Sequence, residues 1–419
     1  MFRLALVSIL CSTSALAFAP SSLQPRQLSA TSTSSSTPLP VSDQPLTVRF
    51  STTSPETDAA ATTVVELTPE YQAALDQAKA TVQAVLEKAN PALLEPLFHF
   101  CTEYITASQS SYMKYKDEGA SPKAALQRIL EGVQFGYKYG MLPDSKYTFG
   151  VTHDALRGNP ETENGNTLDY YEWGCNFFRY FMDKEQSVVL GEDNLAKAME
   201  QANKGENVVF FANHQSEADP QVMSIMLEKA GYKKEAEEVI YVAGHKVTTD
   251  PLAIPFSMGR NLICIHSKKH IDADPETKGV KNRQNLAAMG GMLEKLKQGG
   301  CILWVAPSGG RDRRDVESGK TPIAPFDPKT VDMFKLMGRK SKVPTHYYPL
   351  AMVSYELCPP PDFVEAGVGE QRNFRFVPVG IKVGNEVTSD DFNPAAYEET
   401  LKDYYELREI LFPGTAPEL

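Results

Sequence analysis

From about residue 208 the chain switches repeatedly between short apolar runs and stretches of helical period, and this alternation limits the fold more than any other feature. The runs lie at 208–211, 239–242, 262–265, 301–305, 347–353 and 374–383, with helix-like segments at 220–230 and 281–298. Strands separated by helices imply an α/β domain with a mixed, largely parallel sheet flanked by helices. In open sheets of this kind ligands sit where strands end, so polar clusters directly after the apolar runs are the places to look for chemistry.

Upstream the period is helical. Tyr71, Leu75, Ala78, Val82, Val85, Leu86 and Ala89 fall on one face. Thr68-Pro69, Asn90-Pro91 and Ser121-Pro122 each supply a polar cap followed by a first-turn proline. Three or four amphipathic helices therefore precede the sheet. The expected division is a small helical bundle domain over 66–148 and the α/β domain over 149–419.

Residues 1–17 carry Arg3, a run from Leu4 to Leu10 that is apolar but for Ser8, and then Ala15-Leu16-Ala17, the layout of a cleavable signal peptide. Ser and Thr fill 17 of the 35 positions from 29 to 63, so 18–65 is expected to be a transit peptide or disordered linker outside the fold. Across the whole chain 42 Lys+Arg stand against 53 Asp+Glu, a formal charge of −11. That balance argues against general polyanion binding and requires any anion site to be local. The cysteines at 11, 101, 175, 264, 301 and 358 contain no Cys-x-x-Cys pair, so no metal cage is expected, and no cofactor. The five beyond the first segment are expected to be reduced, small and buried.

The first polar cluster, Asn213-His214-Gln215-Ser216-Glu217-Ala218-Asp219-Pro220, follows the run at 208–211. An aspartate meeting His214 at the turn can fix one imidazole tautomer and leave the other nitrogen free to take a proton from a hydroxyl. Asp219-Pro220 equally suits an ordinary helix start with Asp as the cap, and spacing alone leaves both readings open. Two basic clusters follow other runs: Ser267-Lys268-Lys269-His270 and Ser308-Gly309-Gly310-Arg311-Asp312-Arg313-Arg314. Arginine forks and lysine point charges suit a phosphate monoester; solvated surface loops are the plain alternative.

The segment 213–220 resembles the Asn-His-x-x-x-x-Asp motif of glycerolipid acyltransferases, in the form found in soluble plastid glycerol-3-phosphate acyltransferases. The likeness runs in order through Asp250-Pro251, Phe256-Ser257-Met258-Gly259-Arg260-Asn261-Leu262, Ser267-Lys268-Lys269-His270, Ala306-Pro307-Ser308-Gly309-Gly310-Arg311-Asp312-Arg313, Ala324-Pro325-Phe326-Asp327 and Tyr348-Pro349-Leu350-Ala351, covering about residues 165–385. It implies that His214 is a general base with Asp219 as its partner, and that Lys269, His270, Arg311 and Arg313 bind the phosphate of glycerol 3-phosphate. Lys268 and Arg314 are read as surface residues, and Asp312 as a counter-charge to its neighbours.

The reaction implied is acyl transfer from an acyl-carrier-protein or CoA thioester to the sn-1 hydroxyl of glycerol 3-phosphate, giving 1-acyl-sn-glycerol 3-phosphate, the first step of plastid glycerolipid synthesis. Related lysophosphatidate acyltransferases carry Glu-Gly-Thr-Arg-Ser where this chain has Ser308-Gly309-Gly310-Arg311-Asp312, and they form the alternative within the same class. A hydrolase with water as acceptor and a non-catalytic lipid or carrier-protein binding module are the alternatives from other classes. Acyl carrier protein is acidic, which makes Lys233-Lys234 and Arg339-Lys340-Ser341-Lys342 candidate docking patches. The junction Ala15-Leu16-Ala17-Phe18-Ala19-Pro20 resembles the bipartite presequences of diatoms and related algae, which implies the plastid stroma. No nucleic-acid partner and no transmembrane segment in the mature chain are expected, with transient membrane contact for product delivery.

Overall fold

Every position of strand β3 (Asn207–Ala212) is buried, as expected for the middle strand of a parallel sheet covered on both faces. The computed structural model describes residues 66–158, 168–266, 271, 275–361, 370–388 and 392–415. The expectations for 1–65 lie outside them.

Among the described residues the sheet has eight strands: β1 (Thr152–His153), β2 (Val188–Leu190), β3, β4 (Ile240–Gly244), β5 (Asn261–Ile265), β6 (Ile302–Val305), β7 (Thr345–Val353) and β8 (Gly380–Val383). Their spatial order is β1-β5-β4-β6-β3-β7-β8-β2. The five from β5 to β7 run parallel, while β1 and β8 add antiparallel to β5 and β7. β3 is paired on both sides, with Phe210 opposite Trp304 of β6 and Tyr348 of β7. The fold is thus α/β with a mixed, largely parallel sheet. The apolar run at 374–383 becomes a strand only at its end; Val377 makes an isolated bridge to Met182, and Phe374 instead packs edge-on against Phe100.

The period-2 alternation of β3 divides the core. Val208, Phe210 and Ala212 face a large cluster that also contains the N-terminal helices α1 (Pro69–Ala89), α2 (Leu94–Tyr115) and α3 (Pro122–Gly136). Val209 and Phe211 face the other side, packing with Met292, Phe334 and Phe392. Among the described residues the remaining α-helices are α4 (Tyr170–Arg179), α5 (Glu192–Asn203), α6 (Asp219–Lys229), α7 (Lys233–Glu238), α8 (Ile254–Met258), α9 (Lys278–Gln298), α10 (Pro328–Ser341) and α11 (Phe392–Leu411). Ser121 caps α3 by accepting from the Ala124 N–H at 3.4 Å. Asn90-Pro91 behaves differently: it opens a tight 3₁₀ turn, Pro91–Leu93, that leads into α2. Cys101, Cys175 and Cys358 are buried, Cys264 and Cys301 partly so, and all five are free thiols. No helix among the described residues is long and apolar enough to cross a membrane.

Candidate active site

The C-terminal ends of β3, β6 and β7 lie side by side, and Asn213 ties them together. Its Nδ2 donates to the Met352 carbonyl at 3.0 Å and to Asp312 Oδ2 at 3.3 Å, while its Oδ1 accepts from the Met352 N–H at 2.8 Å. The Asp312 N–H donates to the His214 carbonyl at 2.5 Å. His214 is therefore held by its backbone before its side chain makes any contact.

His214 Nδ1 lies 2.8 Å from Asp219 Oδ2. Asp219 is fully buried, and its carboxylate also accepts from the Gln215 N–H at 2.8 Å, the Ser216 N–H at 3.1 Å, Ser216 Oγ at 2.9 Å and Ser354 Oγ at 2.6 Å. Burial alone would push its pKa up; the bonds and charge of His214, the Ser354 hydroxyl and the Gln215 N–H outweigh that and lower it. An ionised carboxylate can only accept, so His214 donates from Nδ1, and the neutral imidazole so oriented has its lone pair on Nε2. Trp304 stands edge-on to the imidazole with ring centroids 5.5 Å apart. The helix-cap alternative is not used: Ala218 occupies the cap of α6, and the Asp219 side chain turns back into the loop that precedes it. Gln215 closes that loop, accepting from the Ser354 and Tyr355 N–H groups at 3.0 and 3.2 Å and donating to Tyr404 OH at 3.1 Å.

Beside this pair lies a network of charges. Arg311 Nη2 is 2.8 Å from each oxygen of Glu370, and its Nη1 is 3.4 Å from Glu217. Arg313 Nη2 is 3.6 Å from Glu370, and its Nη1 donates to the Pro361 carbonyl. Lys246 Nζ is 3.5 Å from Glu370. Arg372 bonds Glu217 at 2.8 Å, Asp250 at 3.2 Å and the Glu370 carbonyl at 3.1 Å. Against the burial that opposes charge, Arg372 and Arg311 hold the Glu217 carboxyl down at about 2. Burial, with the adjacent Arg311 charge, lowers the pKa of Arg313.

Asp312 corrects the reading of it as a counter-charge. It is 1% exposed and points inward, accepting from the Ala324 N–H at 2.9 Å as well as from Asn213. Burial pushes its carboxyl up to about 7.

The structure thus brings His214, Asp219, Arg311 and Arg313 together, whereas Lys269 and His270 lie outside the described residues. Sequence reasoning missed Ser354, Glu217, Lys246, Arg372 and Glu370. Ser354 directly follows the apolar run of β7, so the search at strand ends had the signal needed to find it. The two basic patches proposed for docking lie elsewhere: Lys233-Lys234 open α7 ahead of β4, and 339–342 precede β7. The nine residues of β7 span about 30 Å at the usual strand rise, which puts that patch at the far end of the sheet from His214.

The Acyltransferase family model matches residues 189–353. Curated relatives include the chloroplastic glycerol-3-phosphate acyltransferase of Spinacia oleracea, 36% identical over 73% of this chain and 61% of its own length. The protein of the same name from Arabidopsis thaliana is 37% identical over 69% and 59%, and that from Pisum sativum 40% identical over 62% and 55%. The chain spans about three fifths of the length of the first two of these relatives.

Proposed function

Because the chain is a homologue of the chloroplastic glycerol-3-phosphate acyltransferases and carries an Acyltransferase domain, we propose that it transfers an acyl group from a thioester of acyl carrier protein or CoA to the sn-1 hydroxyl of glycerol 3-phosphate. The observation that carries this reading is the 2.8 Å His214–Asp219 pair standing beside the Arg311 and Arg313 cluster.

In this reaction Nε2 of His214 takes the hydroxyl proton as the oxygen attacks the thioester carbonyl, a role worth about 10²–10⁴-fold. Asp219 stabilises the imidazolium so formed. The tetrahedral adduct collapses by breaking the carbon–sulfur bond, and the leaving sulfur takes the proton back from His214, giving thiol and 1-acyl-sn-glycerol 3-phosphate. Arg311 and Arg313, with Lys269 and His270, hold the phosphate so that the hydroxyl sits in attack geometry, which is catalysis by positioning. The place of action is the plastid stroma, reached through residues 1–65 as a signal and transit presequence; the relatives' chloroplastic names support the plastid.

The test is to incubate purified protein with acyl thioester, with and without glycerol 3-phosphate, following thiol release and lipid product. Both are expected only when the acceptor is present. Thiol release without acceptor overturns the transferase reading in favour of a hydrolase, and glycerol 3-phosphate binding without turnover overturns it in favour of a binding module.

A further inference from the structure

The charge network contains a carboxylate that no step above uses. Glu370 is 2% exposed and lies among Arg311, Arg313 and Lys246. The four cations of the cluster belong to two groups. Arg372 is a strut: its nitrogens are engaged by Glu217, Asp250 and the Glu370 carbonyl. Arg311, Arg313 and Lys246 share the Glu370 side chain, and they share it loosely. Both Glu370 oxygens sit on the one Nη2 of Arg311 rather than on its two parallel N–H groups, which is the stronger fork geometry. The contacts to Arg313 and Lys246, at 3.6 and 3.5 Å, are longer than those to Arg311.

We propose that Glu370 is a stand-in anion: it holds these cations in place in the unliganded protein, yields them to the substrate phosphate, and thereby favours a doubly charged phosphomonoester. The proposal rests on the reading that this cluster receives the phosphate. The charges support it. Arg311, Arg313, Arg372 and Lys246 face Glu217, Asp250 and Glu370, so the described cluster carries one net positive charge with Glu370 in place and two without it. A phosphomonoester carries about −1.5 to −2 at neutral pH, so it neutralises more of this positive charge than the single charge of Glu370 that it displaces. A monoanion merely exchanges one charge for another and gains little. The exchange needs no unfolding, because the bond from Arg372 to the Glu370 carbonyl holds the backbone while the side chain rotates.

Calorimetric titration of the full chain with inorganic phosphate tests this. Glu370→Gln is expected to bind phosphate about tenfold tighter than wild type, the scale of one charge-assisted hydrogen bond no longer competed for. Dimethyl phosphate, a monoanion, should gain measurable binding in the same variant; failure of that gain overturns the selectivity. If Glu370→Gln does not fold, Glu370→Asp, which keeps the charge but shortens its reach, carries the test with a tightening of about twofold. Unchanged or weaker phosphate binding in a folded variant overturns the proposal. Arg311→Ala separates the two layers. If it loses phosphate while Glu370→Gln binds as wild type does, the stand-in role alone fails; if it binds phosphate like wild type, the phosphate site and the stand-in role fail together.

Discussion

Asp219→Asn tests the orienting role most directly, and its outcome can be worked from the hydrogen bonds. Oδ2 accepts from His214 Nδ1 and the Gln215 N–H, both at 2.8 Å. Oδ1 accepts from the Ser216 N–H and from the hydroxyls of Ser216 and Ser354. An asparagine NH₂ placed at Oδ2 would face two donors, one of them a backbone N–H that cannot turn. At Oδ1 it faces one fixed N–H and two hydroxyls that can rotate to accept. The variant therefore keeps its carbonyl toward His214 and the same imidazole tautomer, leaving the Ser216 N–H unpaired at about 1–3 kcal/mol of stability. What it loses is the negative charge that stabilises the imidazolium, about 4 kcal/mol for charges about 4 Å apart at the effective dielectric of protein sites. The expected fall in kcat is about a thousandfold, with the affinity for glycerol 3-phosphate within about twofold of wild type because the arginines are untouched. Steady-state thiol release gives the first number and titration calorimetry the second. A kcat within about tenfold of wild type, or an affinity that falls along with it, refutes the reasoning.

Three shorter predictions accompany it. Ser354→Ala removes the 2.6 Å bond to Asp219 and should lower kcat about tenfold with KM for glycerol 3-phosphate unchanged, read from steady-state thiol release. Arg311→Ala should raise KM for glycerol 3-phosphate about 10–100-fold with little change in kcat, read from saturation curves in the acceptor. Glu217, held at about 2 rather than its ordinary 4.5, contributes stability that is fully present above pH 4.5 and is lost as pH falls through about 2; Glu217→Gln should melt at a lower temperature at pH 7 and show a flatter dependence of Tm on pH over that window.

β3 and β6 were readable because each carries an unbroken, fully buried apolar run, at 208–212 and 302–305, and β7 because its run from 347 to 353 is buried from Tyr348 onward. β1 and β2, at the two edges with two and three residues, leave no such run. The His214–Asp219 pair was legible as a spacing, but a spacing could not decide between orienter and helix cap; the turn of the Asp219 side chain back toward Ser354 decides it. Asp312 was misread because its sequence neighbours are arginines, whereas its backbone bond to His214 turns the side chain inward. Arg372 and Glu370 stand in no apolar run and no basic cluster, and they meet Glu217 and Arg311 across 155 and 59 positions of chain. Only the fold makes them neighbours.

Asn213 bonds to groups 99 and 139 positions later in the chain, and Asp219 to one 135 positions later. These separations bear on when a newly made molecule becomes competent. A polypeptide emerging N-terminus first, from a ribosome or a translocation channel, exposes His214 early but lacks Ser354 and the end of β7 until most of its length is out. Closing such long loops is entropically unfavourable until the sheet rewards it. Nascent and partly threaded chains should therefore be inert as a class, and a fragment ending before residue 354 should regain geometry only when the missing piece is supplied in trans.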